Sequence, residues 1–253
     1  MNWDTSIKAI EPHVVRIETP NNYGTGFLAF YNHDRAWCGI ATAAHVVSHA
    51  DEWQQPIKIR NAATPSQRFL KAEDRVIFID SSTDSAVVLF LKGDLVLPES
   101  PIALLPVDQP CRVGSDVGWL GFPNIEPNTM CFFAGTISAW QPARKSYLID
   151  GVAINGVSGG PVFHCPDSKS VQIIGCVSAY HPNLATGAAL PGLARAQDVS
   201  QFHAAAAHIR SIDEANAKKK EFEEAQKQQT VPATSAVEAG TAPTVAIGPN
   251  AAS

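Results

Sequence analysis

The feature that most constrains the fold is a succession of short apolar runs, with Pro, Gly, Asn and Asp between them. Short runs of this kind, with no helix-length repeat between them, predict an all-β sandwich or barrel and not a parallel α/β sheet. The runs are residues 14–18, 26–30, 39–43, 57–59, 76–79 and 86–91, followed by 117–120, 132–140, 146–149, 161–163, 171–179 and 192–195.

A proline-rich segment separates the two series of runs. Residues 93–110 contain Pro98, Pro101, Pro106 and Pro110, and proline interrupts strand pairing because it lacks an N–H donor. We therefore expect two lobes, one at about residues 10–97 and the other at about 111–200, joined by this segment.

The pattern changes after Asp198, where apolar residues recur at steps of three and four. This spacing predicts a helix, with Asp198 or Ser200 as its N-cap. We expect a C-terminal helix over residues 204–229, its first half packed on the second lobe and its polar part, from residue 213, in solvent. Residues 230–253 are rich in Ala, Pro and Thr and are expected to be disordered.

Three segments carry the side chains that nucleophilic catalysis requires. In chain order they are Thr-Ala-Ala-His ending at His45, Asp84 before an apolar run, and Gly-Val-Ser-Gly-Gly-Pro around Ser158. A serine hydroxyl needs a base to take its proton, and the base needs a carboxylate to orient it. The glycines allow a tight turn that aims N–H groups at one point, where an oxyanion would develop. We expect Gly156 and Ser158 to supply those donors.

These segments resemble the trypsin-like serine peptidases of the chymotrypsin fold, on their bacterial stress-protease branch. Residues 24–27 (Gly-Thr-Gly-Phe), 40–45 and 113–123 resemble the family's segments in the family's order, and the likeness spans about residues 10–203. It implies two six-stranded antiparallel β-barrels with the active site between them and a protease domain over residues 1–203. The sequence departs from the stress proteases in that we expect a helix and a tail, and no PDZ module, after this domain. It also favours Asp84 over Asp80, because Asp84 fits the family's Asp-x-Ala pattern.

The resemblance also implies where a substrate side chain would bind. The base of the specificity pocket lies six residues before the nucleophile, at Val152, which cannot pair with a Lys or Arg side chain. Ser178, Ala179 and Tyr180 would line the opposite side and pair with an extended peptide. If Tyr180 narrows the pocket, a small or medium apolar residue is favoured. Alternatively, the Tyr180 ring points away and covers the barrel.

The residue before the nucleophile departs from the secreted members of the family. Those enzymes have an Asp that pairs with a new amino terminus, and Val157 cannot do so. The oxyanion hole is therefore either formed constitutively or ordered by a peptide or an activating protein partner. The leading hypothesis is a serine endopeptidase that acts through an acyl-enzyme. The alternative is a latent or inactive binding module on the same fold.

Composition restricts the remaining functional classes. A formal net charge of −5, with no basic run outside residues 218–220, argues against a nucleic-acid surface. The N-terminus has no apolar run of signal-peptide or membrane-spanning length, so we expect a cytoplasmic protein with no membrane contact.

Cysteine usage bears on metals and redox state. Five cysteines at irregular spacing indicate reduced thiols and not a disulfide scaffold, although a pairing of Cys111 or Cys131 stays open. No Cys-x-x-Cys pair or His-Glu-x-x-His motif is present, so we expect no metal and no cofactor. The expected partner is a protein or peptide substrate.

Overall fold

Thirteen strands and three helices make up the described part of the computed structural model. It covers residues 3–166, 170–183 and 190–229, with side chains omitted at 180–183, 190–192 and 227–229. The predicted disorder of residues 230–253 lies outside the described residues. The strands are β1 Val14–Glu18, β2 Tyr23–Tyr31, β3 Trp37–Ala43, β4 Ile57–Asn61, β5 Gln67–Leu70, β6 Arg75–Asp80, β7 Ser85–Leu91, β8 Asp116–Gly121, β9 Cys131–Gln141, β10 Ser146–Asp150, β11 Pro161–His164, β12 Gln172–Asn183 and β13 Leu190–Asp198. The helices are α1 Trp3–Ile10, α2 Ala44–Glu52 and α3 Ser200–Gln229.

The first lobe is a seven-stranded antiparallel sheet in the order β5-β4-β1-β2-β3-β7-β6. Its strands show the two-residue period of a sheet with one buried face: in β4, Ile57 and Ile59 are fully buried, whereas Lys58 and Arg60 are not. The apolar face of the sheet packs against α2 and against the facing strands, and these contacts form the core of this lobe. His45 follows the end of β3 and Asp84 directly precedes β7, and these two strands are neighbours within the sheet.

The second lobe is a closed six-stranded barrel in the order β10-β13-β12-β11-β8-β9. Trp119 and Tyr147 are its largest fully buried side chains, and they pack with apolar residues from all around the barrel. The predicted class, two all-β lobes with a C-terminal helix, is confirmed. In detail, the first lobe has seven strands in an open sheet where six in a closed barrel were expected, because the outermost strands β5 and β6 each pair with one neighbour only.

Helix α3 packs more widely than the sequence indicates. Phe202 is fully buried and stands edge-on to Phe27 of β2, with 5.7 Å between the ring centroids. Gln201 donates a hydrogen bond from its amide to Asp80 of β6. The first part of the helix contacts Ile173 and Cys176 of the second lobe, as expected, and it also contacts the first lobe, which the sequence does not indicate.

The start of the chain also differs from expectation. Helix α1 has no counterpart in the sequence prediction, and it packs on the barrel through Trp3, whose ring lies 5.3 Å from that of Phe132 and 5.8 Å from that of Phe163. An amphipathic helix of eight residues, about two turns, carries too weak a periodic signal to be recognised without its partner surface. No helix among the described residues is long and apolar enough to cross a membrane.

The chain divides into two compact units, residues 1–213 and 214–253. The first unit holds both lobes and the first part of α3. In the second, residues 214–229 are helical, and the side chains described there, 214–226, are all exposed. Exposure along the whole described segment agrees with its polar sequence.

Replacing Phe202 with Ala should destabilise the first unit strongly. The substitution leaves a cavity between α3 and β2, so we expect the free energy of unfolding to fall by about 3–5 kcal/mol. The matched control is Phe69→Ala on β5, where the ring is 61% exposed and the loss should stay within about 0.5 kcal/mol. Urea unfolding measures both changes. Equal losses in the two variants would contradict the packing described here.

Candidate active site

His45 and Asp84 are in direct contact on the first lobe. Strand β3 ends at Ala43, helix α2 begins at Ala44, and Asp84 lies in the turn between β6 and β7. The Nδ1 atom of His45 is 2.9 Å from Oδ2 of Asp84 and 3.1 Å from Oδ1. An ionised carboxylate can only accept, so Nδ1 carries the proton and Nε2 of the neutral ring is left as a base.

Asp84 is held in place by the start of α2. Its Oδ1 accepts the backbone N–H of His45 at 3.0 Å, and its carbonyl oxygen accepts the N–H of Ala44 at 3.0 Å. Both N–H groups belong to the first turn of a helix, where they have no partner within the helix. Asp84 adopts a φ of +52°, a left-handed conformation that Asp tolerates better than most residues. The carboxylate is thereby fixed to the same helix that carries the imidazole.

Ser158 comes from the other lobe, in the loop between β10 and β11. Its carbonyl oxygen accepts the N–H of Thr25 in β2 at 2.8 Å. The next residue, Gly159, has a φ of +83°, and a Cβ there would collide with Thr25 and Thr42 and lie 2.9 Å from the nitrogen of Ala43. Only glycine permits this close approach. The Ser158 loop therefore lies against the end of β3, directly before His45.

The bond predicted between Ser158 and His45 is not formed. Within the described residues, the Ser158 hydroxyl has no hydrogen-bond partner within 3.5 Å, whereas the pair of His45 and Asp84 is complete. Catalytic hydrogen bonds of this kind are often long before substrate binds and shorten in the complex. The structure thus brings all three predicted residues to the contact between the lobes, with one of the two predicted contacts made.

Within residues 156–160, two backbone N–H groups have no acceptor among the described residues. The N–H groups of Val157, Gly159 and Gly160 bond to carbonyls of Ile154, Val177 and Val157, at 3.1, 2.7 and 2.9 Å. By contrast, those of Gly156 and Ser158 donate to no acceptor among the described residues. These are the two donors that the sequence predicts for an oxyanion hole. Unpaired N–H groups beside a serine hydroxyl can donate hydrogen bonds to the negative oxygen that develops on a reacting carbonyl.

Thr25 and Thr42 are site residues that sequence reasoning missed. The hydroxyl of Thr25 donates to the carbonyl of Gly156 at 2.9 Å and accepts the N–H of Phe122 at 3.1 Å. The hydroxyl of Thr42 donates to the carbonyl of Thr25 at 2.7 Å. Both threonines are fully buried. The only signal in the sequence is a polar residue inside each of two apolar strands, which does not reveal a partner in the other lobe.

Val157 anchors the Ser158 loop from the opposite side. Its side chain is fully buried in the core of the second barrel. An Asp at this position would need a buried cationic partner, whereas Val needs only apolar neighbours. The loop is thus held by apolar packing on one side and by the hydroxyl of Thr25 on the other.

Of the residues predicted to bind substrate, Ser178, Ala179 and Tyr180 lie in the second half of β12. Val152 is 51% exposed in the loop after β10. A β-bulge sets Ser178 out of register, and Ala179 pairs with Arg195 of β13. The prediction for the Tyr180 ring falls outside the described residues, because only the backbone of Tyr180 is described.

One edge of β12 is open at these residues. Strand β11 pairs with β12 only as far as Cys176, and the backbone of Val177 bonds to Gly159 and Gly160. From Ser178 onward, the described residues supply no strand on this edge. An open edge is a template for an added peptide strand.

The cysteines offer no competing nucleophile near the pair of His45 and Asp84. Burial, together with the negative charge of the nearby Asp84, raises the pKa of the Cys176 thiol far above its usual range. All five cysteines are described, and none forms a disulfide. No group of three or more His, Cys, Asp or Glu side chains that could hold a metal occurs among the described residues.

The chain belongs to the trypsin-like peptidase family. The family model of the trypsin-like peptidase domain matches residues 24–171, which include His45, Asp84 and Ser158. Membership places the chain among peptidases, whose substrates are proteins or peptides. No curated protein matches the sequence.

Solved protease structures share the fold. The inactive form of the Rv3671c protease of M. tuberculosis is 19% identical, with a TM-score of 0.56 over 82% of this chain and 93% of that chain. Deg5 is 20% identical, with a TM-score of 0.58 over 79% and 89%. A serine endoprotease from Yersinia pestis is 17% identical, with a TM-score of 0.60 over 83% and 66%. At these identities the likeness establishes the fold.

Replacing Gly159 with Ala should disrupt the site and lower stability. The added methyl group would collide with Thr25 and Thr42, so we expect a loss of about 3 kcal/mol or more from overpacking and an unfavourable φ together. Gly114→Ala is the control, because Gly114 has a similar φ of +86° and nothing within 4 Å of an added Cβ. Denaturant unfolding should show a loss of only about 1–2 kcal/mol for the control. Similar losses in both variants would show that the close approach at Gly159 costs nothing.

Proposed function

We propose that the chain is a serine endopeptidase in which Ser158 is the nucleophile, His45 the general base and Asp84 the carboxylate that orients His45. The observation that carries the proposal is the contact of 2.9 Å between Nδ1 of His45 and Asp84, beside a loop that presents Ser158. This contact directs the basic Nε2 atom away from Asp84 and leaves it available for the proton of a serine hydroxyl.

The proposed reaction proceeds in two halves. Oγ of Ser158 attacks the peptide carbonyl carbon while Nε2 of His45 takes the hydroxyl proton. The negative oxygen of the tetrahedral intermediate accepts hydrogen bonds from the N–H groups of Gly156 and Ser158. When the C–N bond breaks, His45 returns the proton to the leaving amine, and an acyl-enzyme remains. Water, deprotonated by His45, then attacks the ester carbonyl. As the C–O bond to Ser158 breaks, His45 returns this proton to Oγ of Ser158 and the carboxylic acid product leaves.

The open edge of β12 supports a substrate bound as an added strand. Backbone groups of Ser178, Ala179 and Tyr180 would pair with the residues before the cleaved bond. Val152 would lie at the base of the pocket for the residue whose carbonyl is attacked. Because Val152 carries no charge, we propose a preference for small or medium apolar residues there.

A second candidate function is a latent protease or a binding module on the same fold. One observation favours it: the Ser158 hydroxyl has no described hydrogen-bond partner, so the site is incomplete between Ser158 and His45. In that case a peptide or a protein partner completes the site, or the open edge of β12 serves binding alone.

Labelling with a fluorophosphonate probe tests for an activated serine without knowledge of the substrate. The probe forms a bond between Oγ of Ser158 and phosphorus and releases fluoride. We expect the purified protein to be labelled and the Ser158→Ala variant to remain unlabelled. Asp84→Asn should lower the rate by roughly 10⁴-fold, because the carboxylate that holds the tautomer of His45 is lost.

Circular dichroism on both variants serves as the folding control for this experiment. A folded wild-type protein that is not labelled would favour the latent or binding function. Labelling that persists in Ser158→Ala would contradict the assignment of the nucleophile.

The uncharged pocket should favour an apolar residue immediately before the cleaved bond. We expect peptides with Ala, Val or Leu at this position to be cleaved with kcat/KM at least about tenfold above peptides with Lys or Arg. Val152→Asp should reduce or invert this difference, because a carboxylate can pair with the basic side chain. Mass spectrometry of digested peptide libraries identifies the cleaved bonds, with Ser158→Ala as the blank. Cleavage mainly after Lys or Arg would overturn the proposed pocket.

A further inference from the structure

A second cavity, of about 180 Å³, borders the candidate active site. It shares Asp84 and Ser178 with that site, and its other walls include Arg144, Arg195 and Gln197. Arg144 is exposed, so a ligand can reach the cavity from solvent. The mechanism proposed above makes no use of either arginine.

The barrel holds the wall of this cavity rigidly. Arg195 pairs across β13 with Ala179 of β12 on one side and with Leu148 of β10 on the other. Gln197 lies two residues further along β13, on the same face, and its amide donates to the carbonyls of Arg144 and Lys145 at 2.8 and 2.7 Å. These bonds attach the segment that carries Arg144 to the strand that carries Arg195.

The two arginines lack an anionic partner. No ion pair within the described part of the chain includes Arg144 or Arg195. The Nε atom of Arg195 is shielded from solvent and has no hydrogen-bond partner there. Partial burial, and to a smaller extent the positive charge of Arg144, lower the pKa of the Arg195 guanidinium. Two cations that line one cavity, neither of them in a described ion pair, favour the binding of an anion.

The charge balance of the cavity favours a singly charged carboxylate. Asp84 also lines it, and its negative charge opposes a doubly charged ligand such as a phosphate dianion. A guanidinium presents parallel N–H groups that match the two oxygens of a carboxylate. Glu and Asp side chains are the commonest source of such a group in a polypeptide.

The position of the cavity connects it to the substrate strand. A peptide added to the open edge of β12 would lie two strands from β13, about 10 Å away. Long Arg and Glu side chains can span this separation together. We propose that Arg144 and Arg195 form a subsite that binds the carboxylate of an acidic residue in the polypeptide substrate. The inference rests on the proposed function, because that function places the substrate on β12.

Peptide binding to the Ser158→Ala protein tests the subsite without cleavage. The probes are fluorescein-labelled decapeptides with Leu before the bond to be cleaved and a single Glu, or Gln as its neutral match, scanned over the four preceding positions. Fluorescence anisotropy gives the dissociation constants. At one position we expect the Glu peptide to bind about tenfold more tightly than its Gln match, with a ratio that falls as salt is added.

The arginine variants connect this preference to the cavity. In the Ser158→Ala background, Arg195→Gln and Arg144→Gln should each bring the ratio of Glu to Gln affinity close to one. The matched control is Arg210→Gln, an exposed arginine of α3 outside the cavity, which should leave the ratio unchanged. Arg144 is exposed, so its variant tests the proposal even if Arg195→Gln does not fold.

The outcomes distinguish a peptide carboxylate from a free anion as the ligand, and they distinguish the subsite from the proposed peptidase function. Equal binding of Glu and Gln peptides, or a ratio that survives both arginine substitutions, overturns the subsite. Inorganic phosphate that binds through the arginines, without any preference among the peptides, overturns it in favour of a free anion. A preference for Glu that depends on the arginines supports it. Since Ser158 is absent from the assay, this support holds even if the fluorophosphonate experiment shows no activated serine.

Discussion

The active site depends on one buried junction between the two lobes, in which Thr25 of β2 is bonded to the nucleophile loop. Its N–H donates to Ser158, its hydroxyl donates to Gly156, and its carbonyl accepts from Thr42. Thr25 and Thr42 are fully buried, so the loss of a partner of either hydroxyl would leave an unsatisfied buried polar group at a cost of about 1–3 kcal/mol. His45 and Asp84 belong to one lobe and Ser158 to the other. The junction is what brings them to the same place.

The two halves of the site are organised to different degrees. Asp84 is attached to the start of α2 through the N–H groups of Ala44 and His45, and the same helix carries the imidazole. The orientation of the base is therefore a local property of the first lobe. The distance from the base to Ser158 is instead set by the packing of one lobe on the other, in which Val157 and Thr25 hold the loop. This difference explains why one predicted contact is formed and the other is not.

Much of the fold follows from local patterns, and its departures from expectation lie at the edges. Apolar and polar residues alternate in strands such as β4 because one face is buried. This alternation can be recognised in the sequence of any amphipathic strand. The additional strand of the first sheet and the short helix α1 cannot be recognised in the sequence, because each is stabilised by a surface that is distant along the chain. Helix α3 was recognised from the spacing around Phe202, yet its partner Phe27 lies far away along the chain, so its contact with the first lobe could not be foreseen.

By itself, the sequence determined the class of fold, the family, and the identities of His45, Asp84 and Ser158 as candidates, because each is recorded in contiguous residues whose types and order are informative. The tertiary structure alone decided how these residues meet. It placed Thr25 against the loop that carries Ser158, left the N–H groups of Gly156 and Ser158 without acceptors among the described residues, and brought Arg195 and Asp84 to the walls of one cavity. Such contacts join residues from different strands, and their energies depend on burial and distance, which exist only after the chain has folded.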